Sequence, residues 1–111
     1  FYPGLSKNPK EKKIYKAQCL SGGAMISFVI LDVEKIAFKL LNSLKLIKLA
    51  VSLGSNESLA QHPYSMTHAD VPDDEKKSIG ISQGLIRLSI GIENKDDIIF
   101  DLKQALEKVP A

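Results

Sequence analysis

The sequence is poor in the residues that mark disulfide-rich, membrane-spanning and nucleic-acid-binding proteins. Its 111 residues include one cysteine, no tryptophan and a single arginine. One cysteine excludes an internal disulfide, so the chain is no disulfide-rich secreted scaffold, and a cytoplasmic location is expected. The longest apolar runs, such as residues 25–31, are far too short to cross a bilayer, and the first residues do not have the pattern expected of a signal peptide. We therefore expect no membrane partner.

The composition that remains is typical of a globular domain. Hydrophobic residues make up 44% of the chain and charged residues 25%, which argues against a disordered tail or a collagen repeat. A chain of this length buries roughly two-thirds of its unfolded surface, so it can form a real core. Because residue 1 is Phe rather than Met, we expect residues 1–111 to be one domain of a longer protein.

Charge is distributed unevenly along the chain. Residues 1–50 carry nine lysines and three acidic residues, whereas residues 51–111 carry six basic and ten acidic residues. The lysine-rich segment 7–16 contains no arginine and Tyr15 as its one aromatic residue, unlike most nucleic-acid-binding segments. We interpret it as the solvated face of a helix and expect no nucleic-acid partner; salt-dependent binding of nucleic acid would be the alternative.

Hydrophobic periodicity predicts eight elements in the order helix, strand, helix, strand, strand, helix, strand, helix. The predicted helices run from Asn8 to Gln18, over 33–44, from Pro72 to Gly80 and from Asn94 to Pro110, and the strands cover 25–31, 46–51, 57–60 and 85–92. Asn8 and Asn94 are good N-caps, and Gly80 is a typical helix stop. We expect an α/β fold of the two-layer α+β type, with a small, mostly antiparallel sheet of about four strands and helices on one face.

Arg87, the only arginine, lies in the middle of the predicted strand 85–92. Ile86 and Leu88 lie on one face of this strand, and Arg87 and Ser89 on the other. A guanidinium in a strand needs an anionic partner, and its planar fork suits a carboxylate. The residues alone leave two interpretations open: a structural ion pair with an acid of the domain, or an anchor for the carboxylate of a ligand.

The polar break at residues 52–54 is a second candidate site. Exposed backbone N–H groups at the end of a strand can bind an anion, although an ordinary turn is the simpler interpretation.

No other residues suggest a catalytic or metal site. His62 and His68 have no acid or cysteine at the spacing of zinc ligands, so no metal site is expected. Cys19 has no histidine or second cysteine nearby, and we expect a buried or half-buried thiol without a chemical role.

Longer motifs occur in a fixed order along the whole chain. They are YPGL (2–5), GGAMISF (22–28), LAVSLG (49–54), ESL (57–59), HP (62–63), MTH (66–68) and LIRLSIGIE (85–93). Together they resemble the pyridoxal-phosphate-dependent Cys/Met metabolism enzymes, a family of cystathionine synthases and lyases, sulfhydrylases and methionine γ-lyases. The resemblance implies that residues 1–111 are the C-terminal, substrate-binding domain of a fold-type I enzyme. The open sheet face of such a domain helps to close the active site against the large cofactor domain.

The resemblance implies roles for particular residues. Arg87 matches the family's anchor for the α-carboxylate of the substrate, and Ser52 and Leu53 match the loop that lines the substrate pocket and contacts that carboxylate. Val51 stands where cystathionine-handling members often carry glutamate, so it is expected to favour a thioether substrate, as in methionine γ-lyases. Cystathionine γ-lyase and cystathionine γ-synthase are the alternatives. The two histidines match family motifs for which structural hydrogen bonds are expected.

The resemblance also implies pyridoxal 5'-phosphate as the cofactor, held by another part of the enzyme. The Ser-x-Thr-Lys motif that carries the family's cofactor-binding lysine and the phosphate-binding Tyr-x-Arg motif do not occur in residues 1–111. We therefore expect no catalytic or cofactor-binding residue here and an inactive isolated chain. The implied full-length enzyme is a homotetramer that cleaves a sulfur-containing amino acid. A freestanding amino-acid-binding domain without catalysis is the alternative from another class.

Overall fold

The computed structural model describes residues 1–110, and Ala111, the last residue of the predicted domain, lies outside the described residues. A short 3₁₀ turn covers Pro3–Leu5. The helices and strands are α1 (Pro9–Gln18), β1 (Met25–Val29), α2 (Glu34–Ser43), β2 (Lys48–Leu49), β3 (Leu59–Gln61), α3 (Asp73–Ser78), β4 (Leu85–Ser89) and α4 (Lys95–Leu106). The predicted order of elements is confirmed, with differences at the ends of the elements.

Local capping signals set the ends of several helices. The Asn8 side chain accepts a hydrogen bond from the Lys10 N–H at 3.0 Å, and the Asn94 side chain accepts one from the Asp96 N–H at 2.8 Å. Beyond the end of α3, Gly80 has a φ of +82°, a conformation that glycine adopts without a steric penalty. The caps predicted at Asn8 and Asn94 and the stop at Gly80 are confirmed.

The four strands form one sheet in the order β1-β4-β3-β2. β4 pairs antiparallel with β1 and with β3, whereas β2 runs parallel to β3. The sheet is therefore mixed, and the expectation that it is mostly antiparallel is confirmed. Parallel neighbours cannot be joined by a hairpin. Residues 50–58, which we call the crossover, must therefore return across a face of the sheet.

The core lies between one face of the sheet and the helices α2 and α4. Leu40 of α2 and Ala105 of α4 are fully buried with Ile86 of β4, and Leu88 is buried beside them. Burying a Leu or Ile side chain stabilises the fold by about 1.5–3 kcal/mol. The predicted helical layer on one sheet face is confirmed for α2 and α4. No helix within residues 1–110 is long and apolar enough to cross a membrane.

The alternation of side chains along β4 decides what reaches the opposite face of the sheet. Because Ile86 and Leu88 enter the core, Arg87 and Ser89 project to the face that lacks α2 and α4. The strand register places Gln61 of β3 directly opposite Arg87. This face, which we call the open face, carries the candidate site.

The first helix lies outside the expected helical layer. α1 contributes no buried residue, and its neighbours are the residues of the 3₁₀ turn rather than the core. Ile14 in α1 is 57% exposed. Cys19, which follows the helix, is also exposed, so the prediction of a buried or half-buried thiol is wrong. The reason is that this end of the chain does not pack into the core.

A buried carboxylate connects α4 to the segment that leads into β2. Asp101 is 3% exposed, and its two oxygens accept hydrogen bonds at 2.8–2.9 Å from the backbone N–H groups of residues 45–47. Burial alone would raise the pKa of Asp101, but the three backbone hydrogen bonds and a fourth from the Gln104 amide at 3.0 Å outweigh it, and the pKa is lowered. The carboxylate therefore fixes the position of β2 and the start of the crossover.

Candidate functional site

Arg87 lies on the open face with its charge unpaired. Its Nη2 atom donates hydrogen bonds to the carbonyl oxygens of Val51 at 3.0 Å and Ser52 at 3.4 Å. Neither of the two ion pairs found within residues 1–110 involves Arg87. The described residues thus do not supply the structural ion pair that the sequence left open. A guanidinium carries five N–H donors, so the remaining donors are available to another acceptor.

Ser89 holds the same loop two residues further along β4. Its Oγ accepts a hydrogen bond from the Gly54 N–H at 2.8 Å. Gly54 has a φ of +70°, and a Cβ built on it would meet no atom within 4 Å. Its backbone conformation, rather than a lack of space, therefore favours glycine. Arg87 and Ser89 fix residues 51–54 over the open face at two points.

The loop leaves backbone N–H groups open beside the guanidinium. The N–H groups of Ser52 and Leu53 donate no hydrogen bond to any group within residues 1–110. Both residues are exposed, and the neighbouring Val51 side chain is 52% exposed. A guanidinium with free backbone N–H groups nearby is a combination that binds carboxylates and other anions.

A set of hydrogen bonds around Glu93 closes the other end of the crossover. The Ser58 N–H and hydroxyl donate to the two carboxylate oxygens of Glu93 at 2.6 and 2.8 Å, and the Gly91 N–H donates to Ser58 Oγ at 2.8 Å. The Ser58 N–H, together with Glu93's own N–H and the Ser58 hydroxyl, lowers the pKa of Glu93. A Cβ at Gly91 would lie 2.3 Å from the Asn56 carbonyl oxygen, so the close approach requires glycine.

The two histidines are bonded within their own part of the chain. His62 is fully buried, with Nδ1 at 2.7 Å from the Ser65 hydroxyl and Nε2 at 2.7 Å from the Gln83 carbonyl oxygen. His68 Nδ1 lies 2.9 Å from the Thr67 hydroxyl. These contacts agree with the structural roles expected for both residues. Within residues 1–110, no group of three or more His, Cys, Asp or Glu side chains is placed to hold a metal ion.

The structure brings the predicted site residues together and adds two that sequence reasoning missed. Arg87 contacts Val51 and Ser52 directly, and Leu53 follows in the same loop with its side chain 54% exposed. Ser89 was missed because a serine in a strand carries no local signal of a loop contact. Gln61 lies one residue beyond the predicted strand 57–60. A polar residue next to a buried strand was the signal that could have identified it.

Comparison with known proteins gives the family. The sequence model described as Cys/Met metabolism PLP-dependent enzyme matches residues 1–107. The chain belongs to this family. The resemblance of the sequence to this family is thereby confirmed.

Relatives within the Cys/Met metabolism family are much longer than this chain. The L-methionine gamma-lyase of Fusobacterium nucleatum subsp. polymorphum is 50% identical over 109 residues, which are 98% of this chain and 27% of that enzyme. The cystathionine gamma-lyase of Bos taurus is 46% identical over 106 residues, 96% of this chain and 26% of that enzyme. The chain therefore spans about a quarter of the length of these curated relatives.

A solved structure supports the same fold. The crystal structure of cystathionine gamma-lyase from Lactobacillus plantarum complexed with L-serine superposes on this Cys/Met metabolism family member with a TM-score of 0.87 and 38% sequence identity. The match covers 98% of this chain and 28% of that chain. The expected α/β fold of a pyridoxal-phosphate enzyme is thereby confirmed.

Proposed function

We propose that this chain is the C-terminal, substrate-binding domain of a pyridoxal-phosphate-dependent carbon–sulfur lyase. One observation carries the proposal. The Arg87 guanidinium has no acidic partner within residues 1–110 and lies beside the N–H groups of Ser52 and Leu53, which donate no hydrogen bond. A carboxylate completes this set, because it accepts two parallel hydrogen bonds from the planar fork and further bonds from backbone N–H groups. Because the relatives are lyases of methionine and cystathionine, the proposed ligand is an amino acid held by its α-carboxylate.

In this proposal the chain binds and orients the substrate. Arg87 and the loop 51–54 hold the α-carboxylate, and this contact determines which bond at the α-carbon faces the cofactor. Ser89 keeps the loop in place through its hydrogen bond from Gly54, so the two halves of the carboxylate clamp stay at a fixed distance. Pyridoxal phosphate, when bound, delocalises the electron pair left at the α-carbon.

The proposal assigns cofactor attachment and proton transfer to residues outside this chain. Lys76 is buried, at 5% exposure, and a buried lysine is the type that enzymes use for such chemistry. Its Nζ, however, lies 4.1 Å from the centre of the Tyr64 ring and 3.4 Å from Asp73 Oδ1. These contacts indicate a structural role within the domain. The isolated chain is accordingly proposed to be inactive.

Methionine is the proposed substrate, converted by γ-elimination and hydrolysis with one water molecule to methanethiol, ammonia and 2-oxobutanoate. The apolar Val51 side chain is 52% exposed next to the Arg87 contact and suits a thioether, whereas it offers no partner for the distal ammonium group of cystathionine. The 50% identity with the Fusobacterium methionine gamma-lyase favours the same substrate. The 46% identity with the Bos taurus enzyme keeps cystathionine γ-lyase as the alternative, with cystathionine γ-synthase behind it.

The proposal extends to assembly and location. We propose a homotetramer in the cytoplasm, each subunit combining this domain with a large cofactor-binding domain. Exposed apolar side chains, among them Ile92 at 82% and Phe100 at 70% exposure, provide surface that such an assembly would cover. The single cysteine supports a reducing compartment.

A product assay with the full-length, cofactor-loaded enzyme tests the proposal. L-Methionine, cystathionine, and O-acetylhomoserine with sulfide are offered in parallel. We expect 2-oxobutanoate and methanethiol from methionine. Turnover of the other substrates alone would overturn the methionine assignment and retain the family chemistry. No turnover of any substrate would overturn the enzyme proposal and favour a freestanding amino-acid-binding domain.

A further inference from the structure

Gln61 is a buried glutamine with an unsatisfied oxygen on the open face. The residue is 1% exposed, and its Oε1 atom has no hydrogen-bond partner within residues 1–110. Buried polar atoms nearly always have a partner, because an unpaired acceptor loses its hydrogen bonds to water without compensation. The oxygen therefore indicates a partner that joins it in the working state of the protein.

The strand pairing identifies the nearest source of such a partner. Gln61 lies directly opposite Arg87 in the antiparallel register of β3 and β4, and side chains in opposite positions point to the same face with Cβ atoms about 4.5–5.5 Å apart. The amide nitrogen of Gln61 donates to Thr67 Oγ1 at 3.5 Å, so the nitrogen is directed to the turn that contains Thr67. Its oxygen remains the free group.

Arg87 has donors that match this oxygen. Within residues 1–110 its hydrogen bonds come from Nη2 alone, to the carbonyl oxygens of Val51 and Ser52. A bidentate carboxylate occupies one edge of the guanidinium, and one of the five N–H groups keeps the Val51 contact. The remaining N–H groups of the guanidinium, on another of its edges, then have no acceptor unless another residue supplies one.

We propose that Gln61 is a positioning residue for Arg87, accepting a hydrogen bond from the guanidinium through Oε1 when a carboxylate binds. The contact sets the plane of the guanidinium, so that its free edge faces the substrate. This inference rests on the proposed role of Arg87 as the carboxylate clamp. Gln61 itself does not touch the substrate.

The test compares two ligands that differ only in the carboxylate. L-Norleucine has no sulfur leaving group, and pentylamine is the same molecule without the carboxylate. Their inhibition constants against methionine turnover are measured with the full-length, cofactor-loaded enzyme. We expect Gln61→Met, which removes the acceptor at similar length, to weaken norleucine about tenfold and pentylamine less than about twofold. Gln61→Glu keeps an acceptor oxygen and is expected to retain norleucine affinity within about threefold.

Two further variants make the result decisive. Gln104→Met is the matched control, because the Gln104 amide donates to the Ser43 carbonyl oxygen at 2.6 Å and to Asp101, away from the open face. Norleucine inhibition is expected to stay unchanged in this variant. If Gln61→Met does not fold, Gln61→Asn takes its place, because its side chain is one methylene group shorter and withdraws the amide from Arg87. The same weakening of norleucine inhibition, with pentylamine nearly unchanged, is expected.

The double variant separates this inference from the proposed function. In an Arg87→Lys background, Gln61→Met is expected to have no further effect on norleucine, because the donor that Gln61 orients is gone. An equal loss of norleucine and pentylamine, or a full effect that persists in that background, would overturn the positioning role. If Arg87→Lys alone left norleucine inhibition unchanged, the carboxylate clamp itself would be overturned.

Discussion

At the scale of single residues, the binding properties of the open face depend on the geometry of Arg87. Its guanidinium contacts carbonyl oxygens of the loop rather than an acid of the domain. This leaves a positive charge that is held in position and still has free donors. Val51 and Ser52 supply the carbonyls, so the loop that contacts the substrate in the proposed function is also the loop that orients the guanidinium.

Val51→Glu tests the proposed specificity of this loop. In the full-length enzyme we expect the ratio of kcat/KM for methionine to that for cystathionine to fall about tenfold, because a carboxylate disfavours the apolar thioether and attracts the distal ammonium group. Steady-state kinetics with both substrates measure the ratio. Val51→Leu is the control and is expected to keep it. An unchanged ratio in Val51→Glu would contradict the assignment of Val51 to the pocket.

At the scale of elements, local patterns predicted the order of helices and strands and the face on which Arg87 lies. Asn8, Asn94 and the alternation along β4 are signals contained within a few residues, and the structure follows them. The parallel pairing of β2 with β3 could not be predicted, because it depends on the path of residues 50–58 across the open face, which no local pattern encodes. The exposure of α1 was missed because helical periodicity does not show whether other segments pack on a helix.

The candidate site was predicted in part. Alternation and the lack of other arginines singled out Arg87, whereas its link to residues 51–54 came only from the family resemblance. The contact between Gly54 and Ser89 and the position of Gln61 opposite Arg87 follow from the register of the sheet. No local pattern encodes register between strands more than twenty residues apart, so these residues became visible only in the structure.

Asp101→Asn tests the connection between α4 and the start of the crossover. We expect the variant to destabilise the domain by about 1–3 kcal/mol at neutral pH, because the amide cannot satisfy all three N–H groups of residues 45–47. The loss of stability is measured as a decrease in the midpoint of thermal inactivation of the full-length enzyme. Asp97→Asn makes the same carboxylate-to-amide change at an exposed position of α4 and is the control, expected to leave the midpoint nearly unchanged.

The same pair of proteins gives a pH dependence with a defined sign. Because the pKa of Asp101 is lowered in the folded state, its contribution to stability is present above the ordinary aspartate value of about 3.9 and is lost as the pH falls through the lowered value. The wild-type enzyme is therefore expected to have a higher inactivation midpoint than Asp101→Asn, with the largest difference near pH 6 and a smaller difference as the pH is lowered. A difference in midpoint that did not decrease at low pH would contradict the claim that the ionised Asp101 carboxylate stabilises the domain.

At the scale of the whole molecule, the domain carries apolar surface that its own residues do not cover. Phe1, Leu5, Ile14 and Tyr15 line part of a groove of about 700 Å³ between the 3₁₀ turn and α1, and α1 buries no residue. The curated relatives are roughly four times as long as this chain. We expect the remainder of the full-length enzyme to pack on this groove.

Ile14→Ser tests whether the groove is covered. Ile14 is 57% exposed in the domain alone, so a polar substitution there would have little effect if the groove faced water. In the full-length enzyme we expect the midpoint of thermal inactivation to fall by about 2–4 °C, because buried apolar surface is lost. Lys13→Ser, on the neighbouring position of the same helix, is the control and is expected to leave the midpoint unchanged. Equal midpoints for both variants would contradict the expectation that the rest of the full-length enzyme packs on the groove.

The most direct test of the central claim is the turnover of L-methionine by the full-length, cofactor-loaded enzyme with and without Arg87→Lys. Lysine keeps the positive charge but lacks the planar fork, so it cannot hold the carboxylate in a fixed orientation. We expect kcat/KM to fall by at least about a hundredfold, a loss of about 3 kcal/mol in transition-state stabilisation. A kcat/KM close to that of the wild-type enzyme would contradict the claim that Arg87 is the carboxylate clamp of this domain.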